Sequence, residues 1–290
     1  MRIDYLTMKI RIIVFSFCLI IMGCPVIYAN TCTLYNQINL EIQRKAPGAI
    51  FGIAVKDLVT GEKILLNSDV PFLPASVIKI PVMVEVYHQV ALGKLSMQEP
   101  LILKSYYKLP GSGNLQYLKD GSPFTIERLV DLMITDSDNT ATHMLIARLG
   151  SQNINRYMRQ LGLKKTIIKD YTLIEKSPGL CNISSPDDML HLLELMYKKQ
   201  LISARVSTEM LSIMKRQHHR WGIPRFLPAH VIIANKTGSM DHVRNDVGII
   251  FDQKHPYIVV IFSKKIPPKV NGSILVGFIS KIIYEAKLSS

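Results

Sequence analysis

Ala75-Ser76-Val77-Ile78-Lys79-Ile80-Pro81-Val82-Met83-Val84-Glu85-Val86 is the stretch on which the fold turns. The spacing predicts a helix from about residue 75 to Leu92, with Gly93 as its stop. Almost every position in it is apolar, and a helix apolar all round is a buried one. Pro81 lies near enough to the start for its missing N–H to matter little. A buried helix needs other layers packed on every side, so the rest of the chain is to be read as its wrapping.

Upstream, Leu34, Ile38 and Ile42 share one face of a predicted helix over 33–46 that Pro47-Gly48 ends. Two β-rich runs follow, 49–58 and 63–67, and the turn residues 59–62 between them read as a hairpin. Downstream the pattern stays helical for more than a hundred residues. One helix follows Pro123 with Thr125 as its cap, one runs from Asp138 or Asn139 to Gly150, and one from Ser151 to Gly162. Ser185-Pro186-Asp187-Asp188 then supplies a cap, a first-turn proline and two acids that suit a helix dipole. Another helix spans about 204–216. β character returns at 231–236, 247–252 and 256–263, before a closing helix at 273–287. Strands at both chain ends around a helical middle predict an α+β fold. One antiparallel sheet is built from both ends and flanked by helices, with an all-helical domain inserted, and a cleft forms where they meet. The expected sheet-bearing part is about 30–70 and 217–290, and the all-helical part about 71–216.

The first 29 residues read as an export signal. Lys9 and Arg11 precede an apolar run from Ile12 to Met22, and Ala29 offers a small residue for cleavage. That run is too short to span a bilayer comfortably. Cleavage after Ala29 gives an exported periplasmic or secreted protein without an integral membrane span. The alternative is the Ile21-Met22-Gly23-Cys24 stretch, which loosely resembles a lipoprotein box and would anchor the chain through Cys24. Cys32 and Cys181 remain after the signal, and an oxidising compartment permits a bridge between them without requiring it.

With 48% hydrophobic and 20% charged residues the chain has the makings of a packed body, which excludes a disordered one. The net charge is +13, of which Arg2, Lys9, Arg11 and Asp4 account for +2, leaving +11 after residue 29. The lysines and arginines are scattered and no nucleic-acid motif accompanies them, so anionic wall material or anionic substrates suit the charge better. His218-His219 is not a metal pair, no His-x-x-x-His spacing or Cys cluster occurs, and no glycine-rich phosphate loop is present. No metal and no cofactor are expected.

Three short motifs carry chemistry. Ser76-Val77-Ile78-Lys79 sets a hydroxyl and an amine three residues apart on one face at the head of the buried helix. A desolvated lysine there can act as a base toward the serine; the plainer reading is a capping serine and a snorkelling lysine. Ser137-Asp138-Asn139 sits between two helices, where Ser137 suits a proton relay, Asn139 an amide ligand, and Asp138 a loop anchor, or all three simply cap. Lys236-Thr237-Gly238-Ser239 ends a strand. Lys236 and Thr237 can hold a carboxylate there, Gly238 permits close approach of a ligand, and the Ser239 N–H can pair with that of Ser76 as an oxyanion hole. Each motif alone is common; their conjunction in this order is not.

The trio resembles that of class A β-lactamases and the wider group of class A-like penicillin-recognising serine hydrolases. Gly111-Ser112-Gly113 and the stretches 125–150, 182–190 and 235–249 are also similar to that group. The resemblance implies a β-lactamase/transpeptidase-like fold and acylation of Ser76 by a small-molecule β-lactam, with hydrolysis of the acyl-enzyme in true lactamases. It implies Lys79 and Ser137 in proton transfer, Asn139 and Lys236 in substrate binding, and Arg244 as a second carboxylate anchor. A peptidoglycan peptide is the alternative substrate, and a monomer is expected. One departure stands out. The family's Glu-x-x-x-Asn arrangement belongs near Lys169 or Asp170, and no Asn lies four residues on from an acid there. Asp170 or Glu175 is then either a substitute deacylation base or a solvated loop acid.

Overall fold

The computed structural model describes residues 25–169 and 182–288. In chain order its strands are β1 (Ile50–Asp57), β2 (Lys63–Leu66), β3 (Pro100–Ile102), β4 (Pro123–Thr125), β5 (Ile232–Met240), β6 (Val243–Phe251) and β7 (Tyr257–Lys264). Five of them form one antiparallel sheet in the order β2-β1-β7-β6-β5. The joint between the two chain ends is β1 against β7, paired from Ile50↔Lys264 to Asp57↔Tyr257.

Each face of this sheet buries a different set of helices, because side chains alternate along a strand. On one face Phe51, Ile53, Val259 and Ile261 meet α1 (Pro25–Lys45), through Leu34, Ile38 and Ile42, and the C-terminal helix Gly272–Leu288, through Leu275, Val276, Ile279 and Ile283. On the other face Ala54, Val247, Ile249, Val260 and Phe262 meet the helical part of the chain. At the centre of that part lies α2 (Lys79–Ala91), entered through a 3-10 turn, Ala75–Ile78; from Lys79 to Tyr87 it is buried throughout. Around it pack α3 (Ile126–Thr135), α4 (Asn139–Leu149), α5 (Ser151–Gln160), α6 (Pro186–Tyr197) and α7 (Ala204–Lys215); the C-terminal helix is α8. Side chains cap the starts as the residue types suggest: Thr125 accepts from Arg128 N at 3.2 Å, Asp138 from Ala141 N at 2.8 Å and Ser185 from Asp188 N at 3.2 Å. Each cap contributes about 1 kcal/mol.

Three expectations need correction. The first helix begins at Pro25, not at residue 33. The inserted part is not wholly helical, since β3 and β4 pair as a small ribbon. The strands around the third motif are longer than expected: β5 runs to Met240, so that Lys236 to Ser239 lie inside its last part, and β6 starts at Val243. The tight turn Asp241-His242 joins them, with His242 at φ +58, the left-handed geometry that suits a hairpin's twist. The mostly polar run 237–246, with Met240 and Val243 its only apolar side chains, hides this hairpin from a hydrophobicity reading. Asp170, Glu175, Cys24 and Cys181, and with them the possible Cys32–Cys181 bridge, lie outside the described residues. No helix among the described residues is long and apolar enough to cross a membrane.

One buried group is out of balance. The hydroxyl of Tyr257, on β7, is buried and has no hydrogen-bond partner among the described residues. Replacing Tyr257 by phenylalanine removes an unpaired polar atom and keeps the ring, so stability should rise by about 1 kcal/mol. Denaturant unfolding of Tyr257→Phe checks this, and a clear loss of stability would show that the hydroxyl has a partner.

Candidate active site

The chain reaches Ser76 through a strained and tightly held turn. Ala75 has φ +48, a left-handed conformation unusual for a residue with a Cβ and one that persists only where the surroundings impose it. Two contacts impose it. Asn245 of β6 donates its amide to Leu73 O at 2.8 Å while its own oxygen accepts from Ser263 N at 2.9 Å, which ties the approach segment to the sheet. Gly238 of β5 lies flank to flank with the turn: a Cβ there would stand 2.6 Å from Pro74 O and 3.1 Å from the backbone nitrogens of Ser76 and Val77. Glycine is needed at 238 because the head of the buried helix occupies the space where a side chain would go. Ser76 itself is partly exposed, and its Oγ makes no hydrogen bond to any described residue.

One turn on, Lys79 is wholly buried. Its Nζ donates to Ser137 O at 2.6 Å and Asn139 Oδ1 at 2.8 Å, and lies 3.1 Å from Ser137 Oγ. Lys236, equally buried, donates to the same Ser137 Oγ at 3.0 Å and to Thr237 O at 2.9 Å. Ser137 therefore sits between two lysines, held there by a backbone with φ +58. A hydroxyl oxygen has two lone pairs and one proton; with both lone pairs facing N–H groups, the proton is left to point elsewhere.

Burial shapes both amines. Desolvation drives the Lys79 ammonium well below the ordinary lysine range, the charge of Lys236 pushes the same way, and Asp138 partly offsets them. Lys236 is lowered to about 7 by desolvation, opposed by Asp246. Two buried lysines, both lowered from the ordinary lysine range and joined through one hydroxyl, can move a proton between a serine and a leaving group.

The loop opposite is locked onto the second motif. Asn139 donates its side-chain amide to Pro110 O at 2.9 Å and its backbone N–H to Ser112 O at 3.0 Å. Asp138 caps α4 with one carboxylate oxygen and accepts from Leu115 N at 3.0 Å with the other. Gly113 presses so closely on Asp138 that a Cβ would stand 2.1 Å from its oxygen. Asp138 is thus the anchor of this wall.

The structure brings Lys79, Ser137, Asn139 and Lys236 into one hydrogen-bonded group and sets Gly238 against the turn that carries Ser76. Ser239 is exposed on β5, which is an edge of the sheet, and Thr237 offers its carbonyl to Lys236. Arg244 is not part of the group. It pairs with Ser239 across the hairpin, donates to the carbonyls of Met240 at 2.5 Å and Val243 at 2.7 Å, and lays its stem on Gly272. Sequence reasoning passed over Asn245 and Asp246. The signal for them was two successive buried polar residues between Arg244 and an apolar run, a pattern that needs partners on both faces of a strand. Asp170 and Glu175 fall outside the described residues, where the flanks are joined by an Ile167–Ile183 bridge and by Lys169 N donating to Asn182 Oδ1 at 2.8 Å. No group of three or more His, Cys, Asp or Glu side chains suited to a metal ion occurs among the described residues.

This geometry has counterparts. The Beta-lactamase enzyme family model matches residues 33–286. β-Lactamase VEB-1 of Pseudomonas aeruginosa is 24% identical over 242 residues, covering 78% of this chain and 80% of that protein. β-Lactamase Toho-2 of Escherichia coli is 24% identical over 253 residues, covering 83% and 84%. Among solved structures, a β-lactamase from Sphaerobacter thermophilus shares 28% identity at a TM-score of 0.82, over 91% of this chain and 98% of that one. PBP-A shares 30% identity at a TM-score of 0.83, over 89% and 97%, and a point variant of PBP-A with the same similarity was solved as an acyl-enzyme complex with penicillin G. With the matched family model spanning nearly all of the described residues, the chain belongs to the beta-lactamase enzyme family, among its class A-like members.

Proposed function

We propose that this chain is an exported hydrolase that opens β-lactam rings through an acyl-enzyme on Ser76. The observation that carries the reading is the single oxygen of Ser137 lying 3.1 Å from Lys79 Nζ, one helical turn on from Ser76, and 3.0 Å from Lys236 Nζ. The Ser76 hydroxyl adds to the lactam carbonyl carbon and its proton passes to the neutral Lys79 amine. The N–H groups of Ser76 and Ser239 stabilise the oxyanion, which needs Gly238 to stay free of a side chain. As the C–N bond breaks, Ser137 gives its proton to the departing nitrogen and Lys79 restores it across 3.1 Å. Lys236 and Thr237 hold the substrate carboxylate, and Asn139 its side-chain amide. Water then hydrolyses the ester. Residues 1–29 act as the signal, 30–290 form the catalytic body, and the mature protein works as a monomer in the periplasm or outside the cell, unless Cys24 is lipidated.

A second reading draws support from residues 169–181, which carry no Glu-x-x-x-Asn arrangement, and from the likeness to PBP-A. In it the same Ser76 takes D-alanyl-D-alanine peptides of peptidoglycan, and β-lactams acylate it but leave slowly. Hydrolysis of a chromogenic cephalosporin separates the two. Sustained turnover supports the lactamase reading; a single stoichiometric burst, with release of D-alanine from wall peptides, supports the second.

A further inference from the structure

Behind Lys236, on the far face of the sheet, lies an acid that the proposed mechanism leaves unused. Asp246 is fully buried on β6. Its carboxylate accepts from Asn235 Nδ2 with both oxygens, at 3.0 and 3.1 Å, and from Ile223 N at 2.7 Å. Gly222 closes the cradle: a Cβ there would stand 2.3 Å from an Asp246 oxygen. Ser280 of α8 in turn fixes this segment by donating to Ile223 O at 3.1 Å. An acid held by three N–H contacts from two separate segments is a built feature, since a buried carboxylate without them is strongly disfavoured.

Strand geometry relates it to the lysine. Thr237 is paired with Asp246 and Lys236 with Val247, so Lys236 and Asp246 occupy adjacent positions that point to opposite faces. Asn235, next to Lys236 on β5, holds the carboxylate behind the sheet, while Ser137 holds the ammonium in front of it. Of the other titratable groups near Lys236, Lys79, from α2, is itself held well below the ordinary lysine range by burial and by Lys236, and Asp138, from the loop before α4, is turned to Ala141 and Leu115. On the far face Arg244 is turned to its own hairpin and Arg225 onto Gly277.

We propose that Asp246 is the positioning residue of Lys236: its carboxylate, fixed behind the sheet, keeps Lys236 an ammonium ready to meet the carboxylate of the substrate. Burial works against this charge and lowers Lys236 to about 7, and it raises Asp246 to about 7; the two oppose these shifts in each other. The idea rests on the proposed β-lactam reading, in which Lys236 meets the carboxylate of the penicillin.

The test is the second-order rate of acylation by benzylpenicillin across pH, which reports groups of the free enzyme. Asp246→Asn keeps the shape and removes the charge. The alkaline limb of the profile should move down by about one pH unit, giving about tenfold slower acylation on that limb and little change below it. The rate at saturating penicillin should change less. A loss equal at every pH, or an unmoved limb, overturns the proposal. Failure of the wild type to acylate at any pH overturns the β-lactam reading itself, a different outcome. If Asp246→Asn does not fold, carbon-13 NMR of the Asp246 carboxyl in the wild type and in Lys236→Met decides. Loss of the cation should raise the Asp246 midpoint, and identical midpoints overturn the proposal.

Discussion

Ser76→Ala should abolish the covalent penicilloyl adduct and lower β-lactam turnover by about four orders of magnitude or more, the scale on which serine enzymes lose activity without their nucleophile. The fold should not notice. Ser76 is partly exposed and its Oγ is hydrogen-bonded to no described residue, so its removal changes stability by no more than about 0.5 kcal/mol. This pairing of a lost reaction with an unchanged unfolding curve is the mark of a group kept for chemistry. Intact-mass measurement after penicillin exposure and thermal unfolding read the two halves separately. An adduct that persists in the alanine variant would place the nucleophile elsewhere.

Lys79→Met should slow acylation by about 10²- to 10⁴-fold, the contribution of a positioned proton-transfer group. Its pH dependence is the sharper signature. Desolvation and then the charge of Lys236 lower the Lys79 ammonium, so the neutral, proton-accepting amine is populated far below the usual lysine range. Acylation by the wild type should rise with pH as Lys79 loses its proton, and Lys79→Met should lack that limb. Two opposing effects set its stability. The unfolded chain holds Lys79 protonated while the folded chain disfavours the charge, which opposes folding at neutral pH and fades as pH rises toward 10.5. Methionine removes that penalty but strips Ser137 O and Asn139 Oδ1 of their donor. The net change should stay within about 2 kcal/mol. A variant that keeps the wild-type pH profile would take Lys79 out of the proton path.

The centre of this protein was readable because its determinants are local. An unbroken apolar face around Ser76-x-x-Lys79 could only be a buried helix, and caps at Thr125, Asp138 and Ser185 marked helix starts that the hydrogen bonds reproduce. β-Rich runs at both ends similarly pointed to one sheet, and β1 pairs with β7. What escaped depends on contacts between distant segments. The hairpin of β5 and β6 stayed hidden because its polar residues face two different layers: Lys236 turns to Ser137, Asp246 to Ile223, and Asn245 to Leu73. Arg244 looked like a carboxylate anchor from its type; in the structure its Nη1 donates to two backbone carbonyls of its own hairpin, a contact that residue type alone does not announce. Strain at Ala75 and Ser137 was also invisible, since neither residue type announces a left-handed backbone.

Acylation at the Ser76 oxygen is the event on which every proposed step depends, and a time course of intact mass for the wild-type chain with benzylpenicillin tests it most directly. One penicillin should add per chain, on the peptide that contains Ser76, and the unmodified mass should then return as water releases the acid. A chain that gains no mass, or gains it on a peptide without Ser76, contradicts the account.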